Sequence, residues 1–188
     1  MESHASSSAR ARDSFVPRSL LLTGDDVRRA VRRMAHEVVE RVRDTESLVI
    51  LGLQTGGVVF AELLATSLND IMANPVAQGT LDVSFYRDDL DRRPFVAGAT
   101  SEVPGDLNDR VVLLVDDVLF TGRTIRSALN ALADFGRPRA VQLAVMVDRG
   151  HRELPIRPDY VGKNLPTSMS EDIVATREGV WIGSRSDS

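Results

Sequence analysis

The chain contains no cysteine. That excludes a disulfide framework, thiolate catalysis and thiolate metal sites. Long apolar runs are also missing, and nothing approaches the roughly 20 residues needed to span a bilayer. The first dozen residues are rich in Ser, Ala and Arg and lack the apolar stretch of a secretory signal. They read as a disordered leader over 1–14 of a cytoplasmic protein. No excess of positive charge is present either: the net charge is −4, which by itself argues against nucleic acid as a partner. What is present is an ordinary globular balance, 188 residues with 43% hydrophobic and 27% charged, enough for one domain with a real core.

The pattern alternates between strand and helix. Thr23 can cap a helix whose first turn holds Asp25 and Asp26 on the positive end of its dipole. Val27, Val31, Met34, Val38 and Val42 carry its apolar stripe to about Arg43. An apolar strand over 47–53 follows, then a turn over 54–57 and a helix over 58–69. A strand is expected over 80–87, and a long polar loop over 88–109, of a length usually found where a loop has a function. The apolar run 110–116 reads as a central parallel strand. A helix opens at Thr121 and stops at Phe135-Gly136-Arg137-Pro138, and 140–147 is another buried strand. Weaker strands fall at 159–162 and 180–183. The expected fold is α/β, a parallel sheet flanked by helices, in a single domain over 15–182 with a short tail over 183–188.

One segment carries chemistry. The strand ending in Val115 runs into Asp116-Asp117, then Val118, Leu119 and Phe120, then Thr121-Gly122-Arg123-Thr124 at a helix start. Ligands of open α/β sheets bind at the carboxyl ends of strands. Two carboxylates there can each accept an O–H bond from adjacent hydroxyls, as in a ribose. Free N–H groups and two threonine hydroxyls at a helix N-terminus suit a phosphate, and Gly122 lets the backbone come close. A ribose 5-phosphate offers both groups at about this separation.

This segment resembles the signature of type I phosphoribosyltransferases. The resemblance implies that Asp116 and Asp117 hold the ribose hydroxyls of phosphoribosyl pyrophosphate (PRPP) and that Thr121 to Thr124 bind its 5′-phosphate. It also implies a Mg²⁺ ion held mainly through PRPP, a pyrophosphate turn at Thr55, Gly56 and Gly57, and a lid over 88–109 that excludes water.

The run from Gln142 through Asp148-Arg149-Gly150-His151-Arg152 to Arg157, with Asp159 to Asn164, is similar to the PyrR family. Tyr86-Arg87-Asp88-Asp89-Leu90 and Ala35-His36-Glu37 fit the same family, and the likeness spans roughly 20–178. Members are bifunctional pyrimidine operon regulators with uracil phosphoribosyltransferase activity. The resemblance implies uracil and UMP as ligands, a small hood, Arg87 as a catalytic residue, and Tyr160 and Val161 flanking the base. It also implies a homodimer or larger homo-oligomer. Two departures stand out. Family members carry Arg at the position of Gly56, so one cationic contact to pyrophosphate is lost here. Phe120 replaces a common Tyr, with little effect expected.

The first helix has a second face. At 100° per residue, Arg29, Arg32, Arg33, His36 and Arg43 fall within about 140° to 240° of Val27, opposite the apolar stripe. PyrR proteins bind an RNA hairpin in the leader of pyrimidine genes, more strongly with uridine nucleotides. By that likeness the RNA-contacting residues are Arg32, Arg33, His36, Arg41, Arg152, Arg157 and Lys163. Arg41 lies at the edge of the apolar stripe, where it would have to snorkel outward. Three readings stay open: an RNA-binding regulator that is also an enzyme, a plain salvage enzyme, and a regulator whose site senses nucleotides without useful turnover.

Overall fold

The computed structural model describes residues 15–84 and 100–185. The main sheet has five parallel strands in the order β3-β2-β4-β5-β6. They are β2 (Leu48–Leu53), β3 (Ala77–Leu81), β4 (Val111–Leu119), β5 (Ala140–Asp148) and β6 (Tyr160–Asn164). β2 and the first six residues of β4 are buried throughout, as expected for strands covered on both faces. Helices α1 (Gly24–Arg41) and α2 (Gly57–Asn69) cover one face, and α3 (Arg123–Leu132) covers the other.

A second sheet of three antiparallel strands, β1 (Phe15–Thr23), β8 (Gly179–Arg185) and β7 (Asp172–Thr176), forms the hood. Its apolar residues Ile173, Ala175, Val180 and Ile182 join the core beneath α1 and α2. β1 and β7 are not legible in the sequence: β1 is mostly exposed and β7 is only five residues long. β8 runs through Gly183 and Ser184 to Arg185.

α1 starts as the sequence suggests. The Thr23 hydroxyl accepts from Asp26 N, and Asp26 accepts from Thr23 N at 2.9 Å, closing a capping box. The helix ends at Arg41, two residues before the expected end. β3 runs from Ala77 to Leu81, earlier than the expected 80–87: Asp82 to Ser84 are described and are not strand, although Val83 is buried, and 85–87 lie outside the described residues. The acidic pair forms the sixth and seventh of the nine residues of β4, and α3 begins at Arg123 with Gly122 as its N-cap.

Connectivity sets where a ligand can sit. From β2 the chain steps outward to β3, whereas from β4 it steps the other way to β5 and β6. The reversal leaves a crevice beyond the carboxyl ends of β2 and β4, the usual ligand position in such sheets.

Candidate functional site

Both expected anion-binding turns open onto that crevice. The first follows β2 and contains a cis peptide between Gln54 and Thr55. Its glycines allow close approach. A Cβ on Gly57 would overlap Val115 O and crowd Asp116 Cα, so α2 can begin directly against β4 only without a side chain there. Gly56 has an ordinary helical backbone, φ −73° and ψ −35°, that any residue could adopt. The Asp117 carboxylate occupies the space that a side chain at 56 would take: an added Cβ would fall within it and the carboxylate would have to turn aside. Gly56 is also the N-cap of α2 and offers no capping side chain, so the carboxylate of Asp117 lies at the positive end of that helix. The turn and the acidic pair are one packed unit.

The acids are held by their own strand. Asp116 Oδ1 accepts from Asp117 N at 3.0 Å, and Asp117 Oδ1 accepts from Val118 N at 2.8 Å. Asp116 is largely buried and Asp117 half-buried. The second turn follows at once. Gly122 takes a left-handed φ of 93°, which a side chain would strain, and a Cβ there would press on Ile156 at 3.3 Å. Arg123 N donates to Thr121 Oγ1 at 3.4 Å.

The segment after β5 braces this phosphate turn from outside. Arg149 N donates to Leu119 O, Arg152 Nη1 donates to Phe120 O at 2.8 Å, and Glu153 N donates to Thr121 O at 3.0 Å. The Arg152 side chain also pairs with Asp148 and donates to Ile156 O. Arg123 pairs with Glu153 at 2.7 Å. Arg149 is 4% exposed, with its guanidinium 4.1 Å over the Phe120 ring. It reaches Thr167, Ser168 O, Glu171 O and Asp172 at the start of the hood. Burial pulls its pKa down and the nearby Asp172 and Glu171 partly oppose this. Arg149, Glu153 and Asp148 are supporting residues that the motif reading missed. The available hint was a cluster of charges placed straight after an apolar strand.

Tyr160 is fully buried. Its hydroxyl donates to Gln142 Oε1 at 2.9 Å, its ring lies 5.2 Å from the Arg41 guanidinium, and burial raises its pKa. Val161 is half-buried at the level of Asp116, since both pair with Val145. Arg87, and with it most of the expected lid, lies outside the described residues.

The seven basic positions divide in two. Arg32, His36, Arg157 and Lys163 are exposed, and their side chains make no hydrogen bond or ion pair to a described residue. Arg33, Arg41 and Arg152 are engaged. Arg33 donates to Val161 O and Gly162 O and pairs with Glu37; Arg41 donates to Asp159 O. α1 thus lies along β6 and is tied to it by arginines.

Among the described residues no three His, Cys, Asp or Glu side chains come together as a metal cluster. Asp116 and Asp117 are hard oxygen donors at the strand end, chemically suited to stand beside a Mg²⁺ whose remaining ligands come from a polyphosphate.

The phosphoribosyl transferase domain family matches residues 19–178. A bifunctional protein PyrR of Streptomyces coelicolor is 57% identical over 154 residues, covering 81% of this chain and 80% of that protein. One from Bacillus subtilis is 46% identical over 168 residues, covering 87% and 92%. Among solved structures, a hypoxanthine phosphoribosyltransferase from Staphylococcus aureus matches with a TM-score of 0.67 at 16% identity, covering 94% of this chain and 96% of that one. The enzyme of Trypanosoma cruzi reaches 0.69 at 17% identity, covering 90% and 98%. These structural likenesses show the fold alone, whereas relatives identical at about half of all positions along most of their length carry the finer assignment: this chain belongs to the phosphoribosyl transferase domain family and, within it, to the PyrR proteins.

Proposed function

We propose that the protein converts uracil and PRPP to UMP and pyrophosphate, and that it binds an RNA hairpin of pyrimidine gene leaders in response to uridine nucleotides. The observation that carries the enzymatic half is the packing of the Gly56–Gly57 turn against Asp116 and Asp117 at the sheet's switch point. That packing sets a pyrophosphate-sized turn, a pair of diol acceptors and a phosphate turn around one crevice.

Each group has a distinct role. Asp116 and Asp117 accept from the ribose hydroxyls, and Thr121 to Thr124 hold the 5′-phosphate at the start of α3. The Gln54–Gly57 turn takes the pyrophosphate, and the backbone at Val161 faces the base. Asp116 and Asp117 would stand beside a Mg²⁺ held mainly through PRPP, which would supply charge neutralisation for the pyrophosphate. The protein itself aligns the base with the ribose C1 and keeps water away from an electron-poor sugar centre. Arg87 takes its catalytic role from the family resemblance alone and lies outside the described residues.

The regulatory half rests on Arg32, His36, Arg157 and Lys163, exposed groups without partners among the described residues. Unpaired guanidinium groups bind phosphates bidentately and stack on unpaired bases, which suits a hairpin loop. The working form is a cytoplasmic homodimer or larger homo-oligomer, in line with the family resemblance.

The test is UMP formation from uracil, PRPP and Mg²⁺, run beside orotate, hypoxanthine and guanine. Uracil-specific turnover that falls about 10²- to 10³-fold in Asp117→Asn is the expected result, since Asp117 touches the reacting ribose. Turnover with a purine instead of uracil overturns the base assignment. UMP binding without any turnover favours a sensor with no enzymatic role.

A further inference from the structure

Among the described residues strand β6 is the outer edge of the main sheet, so no described strand receives its outward backbone groups. Two of its carbonyls converge on one guanidinium nitrogen. Arg33 Nη2 donates to Val161 O at 3.0 Å and to Gly162 O at 2.7 Å. The other nitrogen, Nη1, donates to Glu37 Oε1 at 2.7 Å, one turn along α1. A planar guanidinium bound on both arms has its direction fixed, which a single ammonium could not achieve. Arg41 repeats the pattern two turns on, with a bond to Asp159 O at 3.1 Å. α1 therefore stitches the free edge of β6 over 159–162.

This stitch joins two surfaces with different tasks. Val161 is the residue whose backbone faces the base in the reading above, on which this inference rests. Arg33 is itself about half exposed, next to Arg32, which has no partner among the described residues, and three residues before His36. We infer that Arg33 is a positioning residue for base recognition: it sets the Val161–Gly162 backbone, and so links occupancy of the base site to polyanion binding on α1. Gly162 cannot supply this restraint itself. It lies under Met146, where a Cβ would overlap Met146 O, so no side chain there can anchor the strand. A phosphate drawn to the exposed side of Arg33 competes with Glu37 and leaves the carbonyl fork to be strengthened or lost. Either change alters the base site, and by reciprocity the base or nucleotide alters the affinity for the polyanion.

The experiment compares Arg33→Ala, Arg33→Lys and Arg32→Ala, after thermal melts confirm folding. Steady-state kinetics and UMP calorimetry read the site, and binding of a uridine-rich RNA hairpin with and without UMP reads the link. Arg33→Ala should raise KM for uracil and Kd for UMP about tenfold, the loss expected for one hydrogen-bonded charged group, while kcat and KM for PRPP stay within twofold. Arg33→Lys should recover only part of this, and Arg32→Ala should leave the uracil parameters unchanged. The gain in RNA affinity on adding UMP should vanish in Arg33→Ala. Wild-type uracil and UMP parameters in Arg33→Ala would overturn the inference. So would an equal shift in Arg32→Ala, which would trace the effect to lost charge instead of the fork. A wild-type protein that binds no UMP overturns the underlying reading, and this inference with it.

Discussion

The switch-point crevice and the basic face of α1 are built in opposite ways. In the crevice, position is set by backbone and by what is missing: Gly56 leaves room for the Asp117 carboxylate, Gly57 lets α2 meet β4, and Gly122 turns where other residues would strain. On the helix, function lies in long side chains carried on an amphipathic scaffold whose buried face is made by other residues. Substitutions in the first region therefore change geometry, and substitutions in the second change charge. Arg33 belongs to both, because its guanidinium reaches from the charged face to the backbone of β6.

The strongest way to sharpen this contrast is Gly56→Ala. The backbone at 56 accepts alanine without strain, so a thermal melt should shift by no more than a few degrees. The new methyl must displace Asp117, and misplacing a reacting group by an ångström costs up to about 10²-fold. The expected result is a 10- to 100-fold loss in kcat/KM for PRPP, with RNA affinity unchanged. An active Gly56→Ala would show that Asp117 can serve from another position. It would also leave only the missing arginine as the consequence of glycine there.

A smaller effect is expected from the opposite region. Arg32→Ala removes an exposed cation with no partner among the described residues. It should flatten the slope of log K against log salt by about 0.7 to 0.9, one phosphate contact. Between 50 and 200 mM salt, that is roughly a threefold change in the salt penalty. UMP formation should stay at the wild-type rate. Filter binding across a salt series measures the first quantity and a coupled assay the second; an unchanged slope removes Arg32 from the interface.

The two regions also differ in what the sequence reveals. The acidic pair and Thr121-Gly122-Arg123-Thr124 are legible because their order along the chain is their order in space. The supports of that loop are not. Arg149, Arg152 and Glu153 approach it from the far end of β5, and nothing in their spacing says whether a charge turns inward or outward. The same limit applies to the basic face. Periodicity places both Arg32 and Arg33 on the solvent face, yet only the packing of α1 on β6 separates a cation with no partner among the described residues from one bound to two carbonyls. Within the hood, which the family resemblance implies, strand β1 escaped notice for a simpler reason. β1 has a largely exposed, irregular register with two shifts, so it lacks the alternation that marks a half-buried strand.

The smallest effect tests whether the scaffold of the basic face is independent of the crevice. Asp26 closes the capping box of α1, and its carboxyl is lowered from 3.8 to about 2, first by the bonds from the Thr23 hydroxyl and backbone and then by Arg29. A depressed carboxyl stabilises the fold above its unfolded pKa, and this contribution fades as pH falls from about 4 toward 2. Replacing Asp26 with Asn keeps a hydrogen-bonding cap but removes the charge from the positive end of the helix. The variant should be slightly less stable than wild type at neutral pH, and the gap should close as the pH drops through that window. Urea denaturation at a series of pH values measures it. A gap that persists unchanged at pH 2 would mean that the Thr23–Asp26 bonds, and not ionisation of the carboxyl, hold the start of α1.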